Sequence, residues 1–495
     1  MIEHFDVVIV GAGISGIAAA YHLQKRCPDR SHVVLEARDT PGGTWDLFRY
    51  PGVRSDSDMH TLGFSFRPWS DQKSIADGPT ILSYLTGTTR QFGIDRHIRL
   101  AHRVIAANWS SADAIWTVEV DTKGESRRFT CNFLFMCPGY YRYDRGYTPD
   151  FEGRDDFAGR IVHPQFWPAD LDYSERRVVV IGSGATAVTL VPALAGPAAH
   201  VTMLQRSPTY IVSRPSRDRV ANWLRKLLSE AAAHRLTRWK NVLFQQFFYQ
   251  LARKQPERVK RRLIAMARRH LSDDYDVQTH FTPDYDPWDQ RLCLVPDADL
   301  FSAIREGRAS VVTGHIDRFT RTGIRLRSGE DLPADIIVTA TGLELQLMSD
   351  IALSIDGKPV DASESFSYKG MMFSDIPNLA LSFGYTNASW TLKAELTAIY
   401  VCRLLDTMAA RAMRQCTPRV AGEVTELPFL DFTSGYVRRA QDKFPRRGAT
   451  GPWRVNQNYL KDMLALRYGP VDDQMVFSNP GRWHDDQKKA RKAPA

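Results

Sequence analysis

The chain has 495 residues, 43% of them hydrophobic and 24% charged. These values suit a folded protein of about two to four domains and exclude a mostly disordered chain. The net charge of +9 is not spread evenly: residues 217–269 hold 15 Lys and Arg against 3 acids, and the remainder is near neutral. A general polyanion binder, and with it a nucleic-acid partner, is therefore not expected. No run of about 18 uninterrupted apolar residues occurs, so no membrane span is expected. The opening MIEHFDVVIV carries acids and no basic leader, unlike a secretory signal. Six cysteines at 27, 131, 137, 293, 402 and 416 form no C-x-x-C pair. Zinc binding and dithiol chemistry are thus disfavoured, no metal site is expected, and a reduced, cytoplasmic protein is the simplest reading.

In chain order, Phe5–Val10 is a short β-branched run of the kind found in a buried parallel strand. It leads into Gly11-Ala12-Gly13-Ile14-Ser15-Gly16, then a helical segment, then a strand His32–Leu35 ending at Glu36. Gly11 permits the tight turn, Gly13 lets backbone approach a pyrophosphate, and Gly16 lets helix pack on strand. Free N–H groups and the helix dipole favour the phosphates there. Glu36 is placed to accept from a ribose 2′-OH and would repel a 2′-phosphate, so the unit suits FAD or NAD. Between this unit and the next, Trp116–Val120 and Phe133–Met136 read as strands.

A second unit begins at Arg177–Ile181, turns through Gly182-Ser183-Gly184-Ala185-Thr186-Ala187 into the helix AVTLVPALA, and continues in a strand His200–Gln205; the turn and Val188 are the expected NADPH contacts. The position after that strand holds Arg206 and Ser207 instead of an acid. A guanidinium there matches a 2′-phosphate, which selects NADPH. The expected fold is α/β, with two Rossmann-like dinucleotide-binding domains. The FAD domain takes residues 1–140 and 339–484, and the NADPH domain 150–216 and 284–338. A basic helical insertion occupies 217–283, and 485–495 form a polar tail.

The insertion has two readings. Trp223, Leu227, Leu228, Trp239, Phe244, Phe247 and Phe248 are favoured to pack onto the NADPH domain beneath a solvated basic face. Alternatively, the segment is an amphipathic surface in peripheral contact with anionic membrane.

Two further motifs stand out: Phe157-x-Gly159-x-x-x-His163-x-x-x-Trp167-Pro168, and Gly42-Gly43-x-Trp45 followed by Tyr50-Pro51-Gly52 and Asp56. With both glycine turns they resemble the type I Baeyer–Villiger monooxygenases, most closely the ethionamide-activating branch. The resemblance covers residues 1 to about 470 of the chain. It implies an NADPH-dependent flavin monooxygenase that converts ketones to esters through a C4a-peroxyflavin formed with O₂. Sulfides and thioamides are implied as further substrates. The alternatives are a heteroatom-only flavin monooxygenase and a non-catalytic flavin redox sensor.

The family's catalytic arginine falls on Arg291 and its partner carboxylate on Asp56. The chemistry needs a permanent cation beside an oxygen anion, which arginine provides. The resemblance also implies that Ser15, Gly43, Thr44, Trp45, Asp46, Leu47 and Val104 contact FAD, that Arg54 and Ser55 contact NADPH, and that His163 positions the interdomain linkers. Those linkers are Cys137-Pro138-Gly139 and Ala340-Thr341-Gly342. Gln290 stands where the family often has lysine. Leu343, Phe383, Trp390 and Trp453 are candidates for the substrate-pocket lining.

Overall fold

A computed structural model describes residues 2–480; the expected tail, 485–495, lies outside them. Two sheets carry the two halves. In the first, Glu3–Val10 pairs in parallel with His32–Leu35 on one side and Glu125–Met136 on the other. A meander of Arg103–Ser110, Ile115–Thr122 and Glu125–Met136 extends it by antiparallel pairing, and Leu379–Leu381 returns in parallel beside Glu125–Met136. The central strand is apolar on both faces, with Val7, Val8 and Ile9 fully buried, because helices cover one side and the meander the other. The helix Trp390–Ala410 packs against Ile14–Arg26 and closes the first half.

The second sheet has five strands in the order Ala309–Thr313, His200–Gln205, Arg177–Ile181, Ile336–Thr339 and Arg160–Val162, all parallel. The helix Ala185–Leu194 lies against it, with Val188, Leu190 and Val191 buried. The expected strands His32–Leu35, Arg177–Ile181 and His200–Gln205 have the same bounds in the structure. Both halves are α/β with Rossmann-like parallel strand order.

The basic segment forms the helices Arg219–Leu227, Glu230–Lys254 and Pro256–His270. Its packing corrects the favoured expectation. Phe248 does join Tyr210 and Trp288 of the second half, but Trp239 faces Tyr459 of the first half, ring centroids 6.1 Å apart. Trp223, Leu227, Leu228, Phe244 and Phe247 are exposed. What anchors the segment is polar. Arg238 is buried, pairs with Glu395 at 2.8 Å and donates to the carbonyls of His60 and Gly63. The insertion therefore bridges the two halves. Among the described residues, no helix is long and apolar enough to cross a membrane.

Candidate functional site

A cavity of about 1260 Å³ runs between the halves, and both glycine turns line it. The turns are built alike. Gly11 has φ 99° and Gly182 φ 135°, values that side chains rarely adopt. A Cβ at Gly11 would lie 2.5 Å from the Cys137 carbonyl oxygen, and one at Gly182 would lie 2.3 Å from that of Ala340. Each turn is thus sealed by the linker that leaves its own sheet. At both following helices the N-cap is glycine, Gly13 or Gly184, and no side chain caps the first amides. Those amides are left for an anion.

Around the first turn, Glu36 is buried, and burial raises its pKa. Its oxygens accept from the Ala12 amide at 2.7 Å and the Arg38 amide at 2.9 Å. Val104, at the start of its strand, lines the cavity on the same side. The Ser15 hydroxyl accepts from Trp390 Nε1 at 2.8 Å, and Thr44 Oγ1 accepts from the Tyr141 hydroxyl at 2.5 Å. Gly43 and Trp45 also face the cavity. Gly16, Asp46 and Leu47 do not. Gly16 packs so tightly that a Cβ would sit 1.8 Å from the Gly11 carbonyl oxygen. Asp46 is buried behind the wall and held by Arg38 Nε at 2.9 Å and Arg49 Nη2 at 2.8 Å. Burial works to raise its pKa, but these guanidiniums outweigh it and hold the carboxyl below the usual range.

The loop after Trp45 carries Asp56 across to the second half. Phe48, Tyr50 and Val53 pack into the core of that half, and Gly52 lies where a Cβ would meet the Thr189 carbonyl at 2.8 Å. So docked, Asp56 meets Arg291 with Oδ2 and Nη2 3.0 Å apart. Both side chains line the cavity, and the 38% of Arg291 that is exposed faces that space. The Asp56 carboxylate raises the arginine's pKa further, against the effect of burial, so its charge is permanent. Tyr140, beside Arg291, is pushed up to about 12 by burial and stays a phenol. Arg54 and Ser55 both line the cavity, with the Arg54 guanidinium paired to Asp299 and the Ser55 amide donating to the Ala76 carbonyl at 2.9 Å.

Around the second turn, Gly182, Ser183, Gly184, Ala185 and Thr186 reach the cavity, with Arg206 and Ser207 at the end of the next strand. The Ser183 hydroxyl is within 2.8 Å of that of Thr209. Ala187 and Val188 are fully buried and hold helix to sheet, away from the cavity.

These features were compared with known proteins. Residues 9–74 match the NAD(P)-binding Rossmann-like domain family. The FAD-containing monooxygenase EthA of Mycobacterium tuberculosis is 57% identical over 476 residues, 96% of this chain and 97% of the relative. This chain belongs to the FAD-containing monooxygenase family. Among solved structures, an oxidized steroid monooxygenase bound to NADP aligns with a TM-score of 0.74 at 22% identity, covering 96% of this chain and 100% of that one. An OTEMO complex with FAD and NADP aligns with the same TM-score at 20% identity, covering 97% and 100%. Both share the fold.

For a member of this family, several cavity residues carry no local sequence signal. Tyr140 and Tyr436 approach Arg291 from separate segments. Arg439 lies over the Tyr147 ring at 3.4 Å and close enough to Arg206 for their charges to interact. Of the pocket-lining candidates, Leu343 and Trp390 reach the cavity. Phe383 and Trp453 are corrected. Phe383 is buried against Trp390 and Phe429, and Trp453 is buried with Nε1 donating to Gln474 at 2.7 Å. His163 packs on Gly146, next to Tyr147, whose amide donates to the Gly342 carbonyl of the second linker at 3.1 Å.

Proposed function

We propose that this flavin monooxygenase binds FAD at the first turn and NADPH at the second, and inserts one atom of O₂ beside the carbonyl of a ketone to give an ester, the other atom leaving as water. The observation that carries the reading is the Arg291–Asp56 pair, 3.0 Å apart in the cavity that both turns share.

The residues suit the cofactors. The uncapped amides after Gly13 receive the FAD pyrophosphate, Glu36 accepts from the ribose, and Gly43, Thr44 and Trp45 face the ring system. The amides after Gly184 receive the NADPH pyrophosphate, and Arg206, with Arg439 beside it, holds the 2′-phosphate. Bound FAD supplies the activation of O₂, with two electrons from NADPH. Arg291 stabilises negative charge on oxygen without giving up a proton, because guanidinium stays protonated at any working pH. Asp56 fixes the fork of Arg291. Tyr140 excludes water with Trp390, on which it stacks at 4.9 Å.

Sulfides and thioamides are a second substrate class, because oxygen transfer to sulfur is helped by a proton donor at the oxygen. The Tyr140 hydroxyl, which lines the cavity beside Arg291, can donate a hydrogen bond there.

Anaerobic mixing with NADPH should bleach the bound flavin, and a panel of linear ketones, thioethers and thioamides should couple NADPH use to product mass. Arg291→Ala should leave flavin reduction within several-fold and lower ester formation by about 10²–10³. Esters formed by that variant at the wild-type rate would remove Arg291 from the reaction.

A further inference from the structure

Among the described residues, eight of the fifteen large apolar side chains left exposed fall between positions 220 and 247: Val220, Trp223, Leu227, Leu228, Leu236, Leu243, Phe244 and Phe247. The enrichment has a helical geometry. At 3.6 residues per turn, Val220, Trp223 and Leu227 fall on one face of Arg219–Leu227, within about 60° of one another. On Glu230–Lys254, Leu236, Leu243 and Phe247 fall within about 40° of one another. Asn241 and Gln245 lie on the opposite side of that helix and donate to the Asp58 carboxylate at 2.8 and 2.9 Å. One side of the helix is thus fastened to the loop that carries Asp56, and the other bears uncovered leucine and phenylalanine.

We infer that these two helices dock on an anionic lipid bilayer through their exposed apolar stripes. Trp223 is 58% exposed, Leu227 61% and Phe247 65%, whereas soluble monomers rarely gather apolar side chains in this way. Arg219, Lys226 and Arg235 are exposed on the same helices. The segment from 217 to 269 carries 15 basic residues and 3 acids. Apolar side chains entering the headgroup boundary, with Lys and Arg against anionic phosphates, are the chemistry of interfacial helices. A second copy of this chain suits the face poorly, because a symmetric contact would set that positive charge against itself. The inference concerns binding alone and stands apart from the oxygenation reading.

The test uses the FAD-loaded protein and vesicles of phosphatidylcholine with or without phosphatidylglycerol. Wild-type protein should sediment with the phosphatidylglycerol vesicles at low salt and be released by salt, and it should stay in solution with phosphatidylcholine alone. The charge variant R219E/K226E/R235E should bind on the order of a hundredfold more weakly, and W223S/L227S/F247S at least about tenfold more weakly. Both should keep FAD absorbance and NADPH-driven flavin reduction. All six native cysteines are buried, so a Phe247→Cys protein can be labelled at that site, and an environment-sensitive dye there should shift to the blue on anionic vesicles. Three outcomes overturn the inference: no sedimentation with anionic vesicles at low salt, equal binding by both variants, or a dimer in sedimentation velocity that the serine variant abolishes while vesicles bind neither protein.

Discussion

The two glycine turns share a design and differ in their cover. At the first, the Gly43 Cα stands 3.6 Å from where a Gly13 Cβ would be, and Ser15 and Gly16 are buried. At the second, nothing lies within 4 Å of a Gly184 Cβ, and Gly184 and Ala185 are exposed. A loop roofs one turn and leaves the other open. The difference fits a resident dinucleotide in the first site and one that comes and goes in the second. Enclosure slows dissociation, and an open turn allows exchange within each cycle.

Substitutions can break this contrast. The largest effect is expected from Gly16→Ala, whose methyl would collide with the Gly11 carbonyl at 1.8 Å. Relief requires parting helix from strand, at about 3 kcal/mol or more, so purified protein should carry little or no FAD by its visible spectrum. Gly184→Ala comes next. With open space around it and an ordinary extended backbone, the melting temperature should stay within about 1–2 °C. The added methyl meets only the incoming pyrophosphate, so KM for NADPH should rise at least about tenfold with FAD content unchanged. If KM is unchanged, the second turn does not bind the phosphates. Arg206→Ala should raise KM for NADPH about tenfold or more and leave KM for NADH within about twofold, since it removes a charge-assisted contact to a group NADH lacks. Equal effects on both would relocate the 2′-phosphate. The smallest effect is expected from Ala187→Gly. It changes a buried helix position off the cavity and should cost about 1 kcal/mol in denaturant unfolding, with kinetics intact.

The turns and the strands beside them are legible because their signals are local, whereas Asp56 and Arg291 come from the family resemblance alone. A β-branched run, two glycines at fixed spacing and a charge at the strand end lie within a few tens of residues. Tyr140, Tyr436 and Arg439 reach the cavity from segments far apart in sequence, so no spacing announces them. The resemblance implies Asp46 as a flavin contact with Thr44 and Trp45, but one helical turn aims it backwards into Arg38 and Arg49. Trp453 fails as pocket lining for a related reason. A large aromatic finds burial wherever the core has room, and here the core lies behind the first sheet. The insertion shows the converse. Its apolar residues suit either a packed core or an amphipathic surface, because helical spacing alone does not say whether anything stands opposite the stripe.

The carbonyls of Cys137 and Ala340, pressed against Gly11 and Gly182, have a mechanical consequence. The two chain crossings between the halves pass beside the two glycine turns, so a rigid swing of one half would have its fulcrum there. Displacement grows with distance from a fulcrum. With dinucleotides held at both turns, as proposed, the phosphate ends would travel least and the far wall of the cavity most, so a swing would re-aim one reactive end without loosening the grip on either.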